Sequence, residues 1–300
     1  MYLVRYYSLF LFLTISAQTF AQGLFKKKDS IVTKTLSESW ELDHKDKNGT
    51  FRLNSYQPFY VMPVYWSNRI NTQPQSVGQE PVFDEPIPFH STEVKFQISF
   101  KTKLLQSLLF GEGDLWMGYT QTAHWQVYNQ KLSRPFRELN YEPELIFIYP
   151  LRFSFFGIDA KMAGVGFNHQ SNGRADPISR SWNRIMFQVA LEKDNFQLYL
   201  KPWIRISGKA EEDDNLEILD YVGRGEANFV YSKNGHSINL LWRNNLKFKD
   251  NHGSFQFNYM YPIRNNLRGH LQAFSGYGEN LIDYNHYQTT IGLGISFVEW

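Results

Sequence analysis

Three side chains that could carry out acyl transfer lie close together in the segment 164–184. His169 and Ser171 are two residues apart in a stretch that is typical of a strand, so their side chains share one face. If the hairpin folds back symmetrically about Asp176, Asn183 lies directly opposite His169. A serine oxygen needs a base to remove its proton, and that base needs a third group to hold its other N–H. This pattern predicts Ser171 as nucleophile, His169 as base and Asn183 as the orienting group.

A triad of this kind needs further support, and a second interpretation competes with it. An Asn stabilises an imidazolium less well than a carboxylate, so a bound cation and backbone N–H groups near Gly173 would have to assist. Alternatively, Ser171-Asn172-Gly173 is an ordinary turn and Asn183 an ordinary strand residue. The spacing by itself leaves both interpretations open.

The elements that position these residues are predicted to be β-strands. After residue 50, apolar and polar residues alternate with a period of two, which places the apolar side chains of each strand on one face. Asn234-Gly235 lies between two such runs and is the strongest hairpin signal in the chain. No helical period is sustained long enough for a βαβ unit. The clearest alternating runs are 94–101, 196–206, 238–243, 255–261 and 288–297.

Composition favours a barrel in a membrane. Of the 300 residues, 17% are aromatic, yet the mean hydropathy is −0.44. Strands of about 9–11 residues with one apolar and one polar face fit an outer-membrane barrel, although a secreted two-sheet sandwich also alternates. The net charge of +2 argues against a nucleic-acid partner, and the absence of Cys excludes thiolate chemistry.

The N-terminal region divides into two predicted segments. Arg5, a short apolar run and the small residue Ala21 mark residues 1–21 as a signal peptide, and the run is too short to span a bilayer as a helix. Residues 22–50 are polar and are expected to form an exposed periplasmic segment. Residues 51–300 are then the barrel domain.

Several blocks of this sequence, in the same order, resemble the outer membrane phospholipase A family. The resemblance covers roughly residues 50–300 and leaves residues 23–50 outside it. The blocks are Pro135-Phe136-Arg137-Glu138, Asn140-Tyr141-Glu142-Pro143, Asn168-His169-Gln170-Ser171-Asn172-Gly173-Arg174, Ser179-Arg180-Ser181-Trp182-Asn183-Arg184, Lys201-Pro202-Trp203 and 275–289.

The resemblance implies a fold, a location and an activity. The fold would be an all-β, twelve-stranded antiparallel transmembrane β-barrel in the bacterial outer membrane. The activity would be the calcium-dependent hydrolysis of acyl esters in phospholipids and lysophospholipids. The resemblance assigns Ser171 as nucleophile, His169 as base, Asn183 as orienting residue and Gly173 as the source of an oxyanion N–H.

The resemblance also implies a metal site that is shared within a homodimer. The Arg174 carbonyl and the Ser179 hydroxyl would hold Ca²⁺ in one subunit, and the Ser133 carbonyl of a second subunit would complete the site. Gln121 matches a polar residue that family members use at the dimer interface. Dimerisation would then assemble the active enzyme.

Three features depart from the family pattern, and two alternatives remain. Gln170 replaces an acidic residue and Ala175 a small polar one. The loop 207–219 is also unlike the family, and its run Glu211-Glu212-Asp213-Asp214 is expected to be a solvated loop rather than a second cation site. One alternative function is a catalytically silent barrel, either porin-like or structural. The other is a soluble secreted esterase, but its usual Gly-x-Ser-x-Gly pattern does not occur in this sequence.

Overall fold

Strands make up most of the chain that this computed structural model describes, which is residues 34–76, 83–207 and 213–297. The predicted signal peptide lies outside these residues. Among the described residues, no helix has the length and apolar character needed to cross a membrane. The helices are α1 (Leu36–Trp40) and α2 (Ile218–Tyr221), with a 3₁₀ turn at His44–Asp46. The strands are β1 (Leu53–Ser55), β2 (Tyr60–Ser67), β3 (Thr92–Leu105), β4 (Asp114–Trp125), β5 (Phe136–Phe155), β6 (Ile158–Ser171), β7 (Ser181–Lys193), β8 (Phe196–Ile206), β9 (Gly225–Lys233), β10 (His236–Asn244), β11 (Gly253–Arg264), β12 (Leu267–Gly276) and β13 (Gln288–Ser296).

The strands β2 to β13 form a closed antiparallel barrel. Each of them pairs with the next along the chain, and β13 pairs with β2 to close the sheet. The short β1 pairs with β3 at 100–102, beyond the part of β3 that pairs with β2, so β1 and β2 act as one interrupted strand. Closure satisfies the backbone groups of every strand without an edge, which a membrane requires. The predicted twelve-stranded barrel is confirmed.

The two faces of the barrel wall have the polarity that the alternation predicts. On β13, Ile291 and Leu293 point outward with exposed fractions of 46% and 55%, whereas Gln288 and Thr290 are buried inside. The interior contains ion pairs, for example between Lys103 and Asp114. A sandwich would place its apolar faces inward, so the sandwich alternative is wrong.

Helix α1 packs into one end of the barrel, so the expectation of an exposed segment is wrong for these residues, whereas residues 22–33 lie outside the described range. Leu36 is fully buried, and the Trp40 ring is 97% buried in edge contact with Trp116. The Lys101 Nζ lies 3.3 Å from the centre of the Trp40 ring, a cation–π contact inside the barrel. The Leu36 N–H also donates to Glu192 Oε1 at the end of β7. The sequence analysis did not predict the burial of α1, because only a few side chains in this segment are apolar.

The opposite end, here called the upper end, carries the β6–β7 loop and is also covered. There α2 and the β12–β13 loop contribute Ile218, Leu281 and Tyr284 to an apolar cluster. The same cluster contains Trp182 of β7 and Trp203 of β8. These contacts fix the upper end of the β6–β7 hairpin, where the candidate catalytic residues lie.

Candidate active site

The β6–β7 hairpin has the register that the sequence predicts. His169 is paired with Asn183, and Ser171 is paired with Ser181. The one register shift between these strands lies at the far end, between Ala160 and Met162. The Nδ1 of His169 lies 2.8 Å from Asn183 Oδ1. Because an amide oxygen only accepts, His169 holds its proton on Nδ1 and leaves Nε2 free to accept a proton.

The three candidate residues lie on the outer wall of the barrel. His169, Ser171 and Asn183 are all half-buried. They follow the same alternation as Val165 and Phe167, which are exposed on the lipid-facing surface of β6. A nucleophile at this place is adjacent to lipid rather than to the barrel interior.

Interior side chains lock the same two strands from the other face. The Arg184 Nε donates to Asn168 Oδ1 at 3.0 Å, and these residues are a cross-strand pair. The Trp182 Nε1 donates to Gln170 Oε1 at 2.8 Å, so the departure at Gln170 has a structural partner. The Arg184 guanidinium also stacks 4.0 Å from the centre of the Trp182 ring. This packing holds the register that brings His169 to Asn183.

A buried asparagine organises the β6–β7 loop, residues 172–180. The Asn172 Nδ2 donates to the Ile178 carbonyl at 2.9 Å, and its Oδ1 accepts from the Arg180 N–H at 3.0 Å. The Arg180 guanidinium donates to the carbonyls of Pro177 at 3.2 Å and Ser179 at 2.6 Å. Both Asn172 and Arg180 are buried, so the loop has a defined shape. Sequence reasoning missed these two roles.

The backbone conformation and surroundings of Gly173 favour glycine. Its φ is +64°, in the left-handed region that glycine adopts without strain. A Cβ there would lie 3.0 Å from the Tyr141 ring of the neighbouring strand β5. Gly173 follows Ser171 by two residues in the β6–β7 loop.

Oxygen atoms collect around Ser179, and part of the acidic run is among them. The Ser179 Oγ donates to Asp214 Oδ2 at 2.6 Å, and the Ser181 Oγ lies 3.5 Å from the same oxygen. Asp213 forms an ion pair with Arg205 at 2.5 Å. The expectation of a solvated run is therefore wrong at these two aspartates, whereas Glu211 and Glu212 lie outside the described residues.

Hydroxyl, carboxylate and carbonyl oxygens are ligands that suit calcium. Among the described residues, no three His, Asp or Glu side chains are grouped to hold a metal ion. Arg174 offers a main-chain carbonyl and Ser179 a hydroxyl, both of which are oxygen donors of the kind that calcium takes. Asp214, which the sequence analysis placed in a solvated run, is a further candidate ligand because it accepts from the Ser179 hydroxyl.

The remaining candidate residues lie beside the site rather than in it. Ser133 is exposed in the β4–β5 loop, residues 126–135, and does not join the catalytic trio of its own chain. Gln121 is half-buried on β4. It pairs with Tyr141, which pairs with Ser171. Neighbouring strands are roughly 4.8 Å apart, so this row places Gln121 about 10 Å from the nucleophile.

Comparison with known proteins decides the family. The family model described as Phospholipase A1 matches residues 36–297. The chain belongs to the phospholipase A1 family. A phospholipase A1 of Escherichia coli K12 is 35% identical over 240 residues, which is 79% of this chain and 81% of the relative.

Solved structures of this family share the barrel. The outer membrane phospholipase A from Escherichia coli superposes with a TM-score of 0.75 and 32% identity, covering 83% of this chain and 99% of that one. A Salmonella typhi outer membrane phospholipase dimer with bound calcium gives a TM-score of 0.76 and 32% identity, covering 84% and 95%. The predicted family, the outer-membrane barrel and the assignment as a phospholipase are confirmed.

Proposed function

We propose that this protein is a calcium-dependent serine hydrolase that cleaves acyl esters of phospholipids and lysophospholipids in the outer membrane, and that a homodimer is its active form. The observation that carries the proposal is the 2.8 Å contact between His169 Nδ1 and Asn183 Oδ1 on the lipid-facing wall. Ser171 lies two residues along the same strand and pairs with Ser181. Lipid acyl chains reach this surface directly. The relatives named phospholipase A1 support the substrate class.

The reaction follows from the positions of the three side chains. The His169 Nε2 takes the proton of the Ser171 hydroxyl while the Ser171 Oγ bonds to the ester carbonyl carbon. The carbon–oxygen bond to the glycerol then breaks, and His169 passes the proton to that leaving oxygen. Water hydrolyses the acyl-enzyme by the same steps, releasing a fatty acid and restoring Ser171. Asn183 keeps the imidazole in the required tautomer throughout.

Asn183 carries no charge and stabilises the imidazolium less well than a carboxylate would. The transition state therefore needs more support at its other charged group, the oxyanion. We assign the Gly173 N–H as one donor to it. The Arg174 carbonyl, the Ser179 hydroxyl and the Asp214 carboxylate would hold calcium beside it. Calcium, when bound, supplies positive charge that stabilises the developing oxyanion.

A second subunit is part of the proposal. The Ser133 carbonyl of the partner would add a calcium ligand, and Gln121 would lie at the contact between subunits. The Salmonella typhi relative is a dimer with bound calcium, which supports a dimer and a calcium requirement here. On the outer wall, the Gln121 Oε1 accepts from the Tyr119 hydroxyl at 3.1 Å. The amide N–H groups of Gln121 would be donors for a like residue of a second barrel.

The silent-barrel alternative fits the interior less well. A polar interior cavity of about 180 Å³ is lined by Trp40 towards one end and by Leu281 and Tyr284 towards the other. Side chains from α1 and from the β12–β13 loop thus occupy the positions where a wide pore would open. The intact pairing of His169 with Asn183 favours the hydrolase.

Fatty-acid release tests the proposal. Refolded wild type and Ser171→Ala would each be given phospholipid in detergent micelles, with excess calcium or with chelator. We expect release by wild type with calcium, and loss of at least about 1000-fold in Ser171→Ala or with chelator. Conductance by the wild type with no hydrolysis would favour the silent barrel instead.

A further inference from the structure

The Arg174 side chain leaves its own loop and reaches the base of the β4–β5 loop. Its Nη2 donates to the carbonyl oxygens of Phe136 and Arg137, each at 2.9 Å. These two residues begin β5, immediately after the β4–β5 loop, residues 126–135. One guanidinium therefore joins the β6–β7 loop to the β4–β5 loop within a single subunit.

The Arg174 side chain also approaches a buried carboxyl group. The Arg174 Nε lies 3.8 Å from Glu138 Oε2, and Glu138 is fully buried. That oxygen has no hydrogen-bond partner among the described residues. The other carboxylate oxygen accepts from the Asn140 Nδ2 at 2.7 Å and from the Ile282 N–H at 3.2 Å. The Arg174 guanidinium therefore lies beside the oxygen of a buried carboxyl group that is unpartnered within the described part of the chain.

The loop that Arg174 supports is itself well defined. The Trp125 Nε1 donates to the Arg134 carbonyl at 2.9 Å, and the Arg134 N–H donates to the Asn129 carbonyl at 3.0 Å. Ser133 has a left-handed φ of +58°, a conformation that a serine keeps only when the surrounding loop contacts hold it. The direction of its carbonyl therefore depends on those contacts. A shift at the base of the loop would therefore change where the Ser133 carbonyl points.

We propose that Arg174 is a positioning residue that acts on the active sites of both subunits. Its main-chain carbonyl serves the calcium site of its own subunit, and its guanidinium sets the Ser133 loop that completes the site of the partner. The inference rests on the proposed function. It adds that one residue couples the calcium sites of the two subunits. A change in its side chain therefore weakens calcium binding at the site of the other subunit.

Mixed dimers separate this effect from a local one. Wild-type subunits are mixed with a large excess of Ser171→Ala subunits, so that nearly every active subunit has a silent partner. Energy transfer between dyes on the two kinds of subunit verifies that mixed dimers form. Placing Arg174→Met on the silent partner is expected to raise the calcium concentration for half-maximal hydrolysis roughly 10-fold. Arg152→Met, which removes an arginine paired with Glu112 at the other end, is the matched control and should cause no shift.

A second readout does not depend on catalysis. In Ser171→Ala protein without calcium, Arg174→Met should speed hydrogen exchange of the amides over 126–135 and leave the amides of β10 unchanged. The β10 amides also report whether the variant folds. If Arg174→Met does not fold, Arg174→Lys provides a milder change. An unchanged calcium requirement in the mixed dimers would overturn the inference. Hydrolysis by Ser171→Ala homodimers would overturn the proposed function instead.

Discussion

Asn183 in place of a carboxylate suits a catalytic site on a lipid-facing wall. A carboxylate held against lipid would carry a large desolvation cost, whereas an amide oxygen accepts the His169 Nδ1–H without a net charge. The consequence is weaker stabilisation of the imidazolium. Positive charge and N–H donors near Gly173 must compensate, so the precision of the β6–β7 loop becomes the critical requirement at the scale of single residues.

A methyl group at Gly173 tests this requirement. Gly173→Ala should lower the turnover number about 100-fold, because its new Cβ meets the Tyr141 ring and displaces the N–H that supports the oxyanion. Gly111→Ala is the matched control, since Gly111 has a φ of +79° and nothing within 4 Å of its Cβ position. Both variants carry similar backbone strain. Equal losses of turnover in the two variants would show that Gly173 has no special catalytic role.

Sequence reasoning found the residues whose contacts are local. The pairing of His169 with Asn183 follows from a symmetric hairpin, and 14 residues separate the two. The contact of Ser179 with Asp214 spans 35 residues and two further elements, so no local pattern predicts it. The same holds for Tyr141 against Gly173, which depends on the pairing of β5 with β6.

At the scale of elements, α1 shows how a short polar segment becomes part of the barrel. The Thr35 hydroxyl and the Glu38 carboxylate form a capping box that starts the helix. Glu41 ends the helix and is buried in an ion pair with Lys103 at 2.7 Å. Burial raises the pKa of Glu41, but Lys103 and Asn48 outweigh it and hold the pKa below its ordinary value near 4.5.

The docking of α1 should therefore depend on pH. A carboxyl whose pKa is lowered in the folded protein stabilises it above the unfolded pKa, and this contribution is lost as the pH falls through the folded pKa. Hydrogen exchange over 34–49, corrected for the intrinsic rate, should show less protection as the pH falls from about 5 to about 3.

Two variants sharpen this prediction. Glu41→Gln should reduce protection at neutral pH and make its pH dependence shallower, because one of the two carboxylates paired with Lys103 is removed while Asp114 remains. Glu38→Gln keeps an acceptor for the cap and should behave like the wild type. A wild-type pH dependence in Glu41→Gln would assign the effect to another group.

Elements with one apolar and one polar face were the most predictable. The alternating run at 196–206 coincides with β8. By contrast, β5 has 20 residues and extends beyond its last pairing with β4 at Ile148, so the expected 9–11 residues are too few there. The burial of α1 was missed because it depends on Trp116 and Lys101, which belong to distant strands. The capping box at Thr35 was the local signal available.

At the scale of the whole molecule, the candidate site and the candidate dimer surface share one strip of the outer wall. Gln121, Tyr141 and Ser171 lie in one row across β4, β5 and β6. A second barrel seated on this strip would lie directly beside the nucleophile. The interior, by contrast, is largely polar, and ion pairs such as that between Lys103 and Asp114 help to hold the wall in shape.

Activity should therefore follow the fraction of dimer. Increasing the ratio of detergent to protein separates barrels into different micelles, so we expect the calcium-dependent activity per subunit to fall in parallel with dimer content measured by sedimentation. A cross-linked dimer should keep its activity over the same range. Full calcium-dependent activity in a preparation shown to be monomeric would contradict the shared-site proposal.

The most direct test of the central claim is the location of the nucleophile. The full chain would be treated with a phosphonate reagent for active serines, with calcium or with chelator, and the adduct located by mass spectrometry. We predict one adduct, on Ser171, that requires calcium and is lost in His169→Ala. An active preparation labelled at another residue, with Ser171 unmodified, would contradict the account.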